Sequence, residues 1–139
     1  MSSTAKILLS VAAIQFGVIP LIVDFGETHV FHPDWPPHAR FHLVWLLTAG
    51  ALLAASVLYG VWIGSRRDPA LGRPISLVGC IVLAAFFVAA LARPTYGGSL
   101  SDAAEPILVW GVDGNVFSFA IAAVLQAAGT VLVWRTPPG

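Results

Sequence analysis

Four apolar runs constrain this chain more than any other feature. They extend from about Ile7 to Phe25, Phe41 to Gly64, Ile75 to Ala92 and Val116 to Trp134. Each is close to the ~20 residues that an α-helix needs to cross ~30 Å of hydrocarbon. A spanning segment must satisfy its own backbone hydrogen bonds, which favours helices over isolated strands. The expected fold is therefore all-α: an integral membrane four-helix bundle, a single transmembrane domain over residues 1–139, with three connecting loops. Composition agrees. Only 10% of residues are charged, against about 25% in ordinary soluble domains. That excludes a free-standing soluble enzyme and a disordered tail. Seven basic residues balance seven acidic ones, leaving no basic footprint for nucleic acid. The single cysteine, Cys80, excludes an internal disulfide and dithiol chemistry within one chain.

The first run follows Lys6 as a secretory signal would, but it is too long for one, and Val23-Asp24-Phe25 is a poor cleavage site. It reads as a retained helix, bent near Pro20. With four alternating spans, Lys6, Arg66, Arg67, Arg73 and Arg135 fall on one side and only Arg40 and Arg93 on the other. That bias places both termini and the short middle loop in the cytoplasm, with two long loops facing outward. A bacterial inner membrane would make the outer side periplasmic. Asp24, Glu27, Asp34, Asp102, Glu105, Asp113 and all four histidines lie on that side. Nearly all the titratable chemistry is thus expected at one membrane face.

Residues 24–42 hold His29, His32, His38 and His42 together with Asp24, Glu27 and Asp34. Asp34 before Trp35-Pro36-Pro37 reads as an N-cap and a proline-tolerant first turn. The second helix then carries His38 and His42 one turn apart on one face, the spacing by which a helix offers two imidazoles to one metal ion. His29 and His32 are expected to fold back over this start. Together the four histidines form a candidate metal set for zinc or non-haem iron, with Glu27 or Asp34 as carboxylate partner. Without metal, His38, His42, Glu27 and Asp34 are candidate acid–base groups. The interfacial reading stands beside both, because imidazole and indole rings are at home where apolar and aqueous zones meet. The segment His38-Ala-Arg-Phe-His42 lacks the glutamate of a zinc-protease helix. Membrane hydroxylases need about twice as many histidines. Arg40 is expected to orient an anionic group or to anchor at lipid phosphates.

In the third loop, Pro94-Thr-Tyr-Gly-Gly reads as a turn, Ser101 to Glu105 as a helix start continued by Pro106 to Trp110, and Gly111 to Asn115 as a turn into the last helix. Such a loop could cap the first and bring Asp102, Glu105 or Asp113 to the histidines; each of these acids also suits a helix cap. Gln15 and Gln126 lie at similar depth and are expected to bond each other. No carboxylate lies at mid-membrane. The chain resembles proton-coupled small multidrug exporters in size, yet Gln15 stands where that class depends on an ionisable glutamate. Gly60-Val-Trp-Ile-Gly64 permits close packing, within the chain or between copies.

The stretch His32-Pro-Asp-Trp-Pro-Pro-His38-Ala-Arg-Phe-His42 resembles a signature of small four-helix bacterial membrane proteins, and the layout is similar to DoxX-like bundles. That likeness implies that His32, Trp35, His38, Arg40 and His42 act as one unit; it carries no reaction with it. The expectation is an outward-facing site for a hydrophobic small molecule or lipid, with Arg40, Trp35, Trp45 and Trp110 as ligand contacts. It would bind the molecule or transform it by isomerisation, cyclisation or hydrolysis, so enzyme and binding protein are both open. The alternative is an accessory subunit of a larger membrane complex or a homo-oligomer, with Trp35, Phe41, Trp45 and Trp110 as interface anchors. Transport is a third reading.

Overall fold

A computed structural model describes residues 1–101 and 106–136. Four helices are long and apolar enough to cross a membrane: α1 (Ser3–Val23), α2 (Pro37–Arg67), α3 (Pro69–Tyr96) and α4 (Gly114–Arg135). Their apolar residues cover all faces, with Leu46, Ile81, Val88, Leu91 and Val124 exposed, as expected of helices whose outer surface meets lipid. Sequence neighbours pack side by side, α4 closes back on α1, and α2 and α4 lie diagonally. The helices alternate in direction. Met1 and Val133 both approach Gly72, and Lys6 lies over the Trp62 ring, whereas Gln15 bonds Ser118 and Phe86 stacks on Phe119 nearer the other end. The start of α1 and the end of α4 therefore share the basic end, where Arg73 also covers Trp134 at 5.2 Å.

The core is built from small and branched residues, among them Ala5, Leu9, Ala13, Phe16, Ala54, Val57, Val61, Leu83 and Ala122. Small residues let the helices approach closely. A Cβ on Gly17 would lie 2.5 Å from Ala54 Cβ and 2.6 Å from the Gly50 carbonyl oxygen, so only glycine fits this crossing of α1 and α2. The Gly60–Gly64 pair is spent inside the chain, against Ile75 and Leu71 of α3.

Irregularities follow from individual residues. Pro20 has no N–H to give the Phe16 carbonyl, and the chain widens into a π-turn over Ile14–Val18, where Ile19 N–H reaches back to Ile14. The helix α3 runs past the turn expected at Pro94. The Arg93 guanidinium donates to the Ala90 carbonyl, the acceptor that Pro94 leaves without a backbone donor. Gly97 then ends the helix at φ 69°, and Gly98 N–H bonds the Arg93 carbonyl at 2.9 Å.

Two further expectations are corrected. Residues 106–110 do not continue a helix; Leu108–Val109 (β1) pairs antiparallel with Val112–Asp113 (β2) around a two-residue turn. Trp110 at φ 52° and Gly111 at φ 82° supply the two left-handed residues such a turn demands. Gln15 and Gln126 do not meet. Gln15 sits eight residues from the end of α1 and Gln126 twelve from the start of α4, an offset of about 6 Å at 1.5 Å per residue. Gln126 instead donates to the Ser76 carbonyl (2.7 Å) and bonds Thr130, tying α4 to α3.

Candidate functional site

The first loop, 24–36, is a run of turns closed by backbone bonds from Val30 to Asp24, Phe31 to Gly26, His32 to His29 and Trp35 to His32. Val30 is its buried anchor. The helix α2 begins at Pro37 with Pro36 at the cap and no side-chain capping bond. Asp34 does not cap it, because the extended Pro36 separates Asp34 from the first turn. Prolines at the start cost nothing, since their missing N–H groups would have no intrahelical acceptor.

The first two turns of α2 carry the site. His38 and His42 face each other with Nε2 to Nε2 at 3.0 Å, one nitrogen donating and the other accepting. Their rings are nearly perpendicular, with centroids 4.5 Å apart. Phe41 stacks beside His38 and Trp45 lies 5.9 Å from His42. Both aromatic neighbours are exposed, so the imidazoles sit in an aromatic strip on the flank of the bundle. A shallow open groove of about 500 Å³ adjoins them, lined by Trp35, Pro36, His38, Ala39, His42, Leu43 and Leu46. Its walls are almost entirely apolar.

Arg40, on the opposite side of the same turn, holds the loop. Its Nε donates to the Trp35 carbonyl at 3.0 Å, and one Nη to the carbonyls of His32 (2.7 Å) and Pro33 (3.3 Å). The planar fork of a guanidinium matches carbonyls that converge from one turn. These bonds set the position of Trp35, the groove wall.

His29 and His32 stay in the loop. His29 Nδ1 bonds Thr28 Oγ1 at 2.9 Å and lies 3.9 Å from Asp24. Burial pushes the Asp24 carboxyl above the usual carboxylate range, and the nearby His29 opposes that rise. His32 Nδ1 accepts the Asp34 backbone N–H at 3.2 Å. Among the described residues no three His, Cys, Asp or Glu side chains converge as a metal cage. The expected set of four histidines with Glu27 or Asp34 is thus not assembled: local turn bonds claim His29 and His32, and both carboxylates point to solvent from exposed positions.

Residues 8–135 match a family described as a family of unknown function, DUF6640. The chain belongs to it. No curated protein and no solved structure matches. Of the ligand contacts expected in this DUF6640 member, Trp35 lines the groove and Trp45 lies beside the His42 ring. Trp110 lies elsewhere, 90% exposed at the hairpin tip with its edge against Phe117. Asp113 caps α4, accepting from Asn115 N–H and Val116 N–H, while Asp102 and Glu105 lie outside the described residues. Among the described residues no hydrogen bond joins 24–36 to 97–113. Sequence reasoning missed Ala39, Leu43 and Leu46 as groove walls. The signal was present: Leu46 follows His42, and Leu43 follows Ala39, at the same i, i+4 spacing that joined the histidines.

Proposed function

We propose that this chain is an integral membrane protein that takes an amphiphile, a lipid or hydrophobic small molecule, from the side of the bundle at its outer end. The observation that carries the reading is the exposed His38–His42 pair at 3.0 Å, opening directly onto an apolar groove. An amphiphile matches both halves: its polar head meets the imidazoles and its chain lies along Leu43 and Leu46. The basic residues collect at the opposite end, and the positive-inside rule puts that end, with both termini, in the cytoplasm. The histidines then face the outer leaflet near its headgroup level, where Trp35, Phe41 and Trp45 suit the interface. With the two Nε2 atoms bonded to each other, Nδ1 of one ring is left to accept a proton and Nδ1–H of the other to donate one at a bound headgroup, the basis for acid–base chemistry.

The test is native mass spectrometry of the chain in nanodiscs of phosphatidylethanolamine and phosphatidylglycerol. One phospholipid should remain bound after bulk lipid is stripped, and Leu46→Asp should abolish it without unfolding the protein. A wild type that strips bare, or a variant that keeps its lipid, would overturn the reading.

A further inference from the structure

The His38–His42 pair has the geometry of a two-toothed chelate. We infer that it binds one divalent transition-metal ion of the tetragonal class, copper(II) foremost, through its two Nε2 atoms. With metal–nitrogen bonds of about 2.05 Å, nitrogens 3.0 Å apart subtend an angle of about 94° at the ion. That is close to the right angle between neighbouring ligands in a tetragonal site. A tetrahedral zinc site, with its angle of about 109°, needs the nitrogens about 3.3 Å apart. Copper(II) also binds nitrogen donors most strongly among the divalent first-row ions. The ion takes the place of the hydrogen that now bridges the two nitrogens; that proton passes through water to Nδ1 of the donor ring, so each imidazole stays neutral with its N–H at Nδ1.

Three features of the surroundings favour binding. Both rings are exposed, so an ion reaches them without opening the bundle. Phe41 beside His38 and Trp45 beside His42 restrain the rings, which lowers the ordering cost of closing the chelate. The carboxylates of the first loop do not converge here, so the remaining coordination positions are left to water or to an oxygen from a bound headgroup. Two protein ligands and no cage give an exchangeable site rather than a structural one. The inference does not depend on the amphiphile reading, since the chelate is complete without lipid.

The experiment uses tag-free chain in detergent micelles without lipid, titrated with copper(II) and followed by calorimetry and electron paramagnetic resonance. One ion per chain is expected, with hyperfine structure from two imidazole nitrogens. His38→Ala and His42→Ala should each weaken binding about 10²-fold, the scale by which two linked contacts exceed one. His29→Ala and His32→Ala should bind as wild type does. His38 and His42 are exposed and His29 and His32 half-buried, and circular dichroism confirms folding of each variant. Undiminished binding in His38→Ala or His42→Ala would overturn the inference. So would half an ion per chain with four nitrogens, which places the ion between two copies. Because no lipid is present, failure here is separate from failure of the lipid-retention test.

Discussion

Replacing Arg40 by alanine separates a loop clamp from a ligand contact. The guanidinium makes two short bonds to carbonyls, at 2.7 and 3.0 Å, and a longer one at 3.3 Å. Hydrogen bonds to charged groups contribute about 1.5–3 kcal/mol each, and partial exposure lowers that to about 1 kcal/mol for each short bond. The loop should therefore lose about 2 kcal/mol of local stability, close to a 30-fold rise in its opening equilibrium. Hydrogen exchange by mass spectrometry, on ligand-free protein in detergent, reads this directly. The protected amides of His29, Phe31, His32 and Trp35 should exchange about 30-fold faster, while peptides within α3 and α4 stay unchanged. Arg40→Lys should fall between, because an ammonium cannot span both the Trp35 and His32 carbonyls in the same geometry. Exchange within twofold of wild type in Arg40→Ala would refute the clamp and return Arg40 to the role of an anion contact.

Other perturbations give equally definite outcomes. Gly17→Ala should destabilise the bundle by about 1–3 kcal/mol, because its Cβ collides with Ala54 and the Gly50 carbonyl; thermal unfolding in detergent measures it, and an unchanged midpoint would refute the crossing. Trp110→Asn should stabilise the hairpin by about 1 kcal/mol, since asparagine accepts the left-handed conformation that Trp110 holds; slower exchange of the Gly114 amide, bonded to Ile107, reports it. The folded state raises the Asp24 carboxyl above its usual value, so it holds that proton more tightly than the unfolded chain does. The resulting stabilisation is full below the unfolded carboxylate value and is lost as pH rises through the folded one. Unfolding midpoints should accordingly fall across that window in wild type, and Asp24→Asn should flatten this part of the profile.

The four spans were legible because length and hydropathy alone define a membrane-crossing helix. Their ends were less so. The proline-tolerant start of α2 at Pro37 was readable, since no donor is needed there, but Pro94 reads as a turn and the helix runs on to Tyr96 because Arg93 supplies the donor that Pro94 withholds. The hairpin escaped notice since its turn is Trp-Gly rather than the Asn-Gly or Asp-Gly that signals a left-handed pair. The spacing of His38 and His42 revealed their shared face, a purely local relation. The fates of His29, His32 and Arg40 depend on how loop carbonyls and hydroxyls converge, and periodicity holds no information on that. Asp34 reads as an N-cap by residue type, yet the extended Pro36 holds it too far from the first turn.

The proposed amphiphile site at the flank of α2 is open to photo-crosslinking. A phospholipid carrying a diazirine in its headgroup is incorporated into nanodiscs with the chain, activated, and the modified peptides are mapped. Crosslinks should concentrate in residues 35–46 and fall sharply in Leu46→Asp. Crosslinks spread evenly around the four helices, or gathered at Arg66, Arg67 and Arg73, would contradict it.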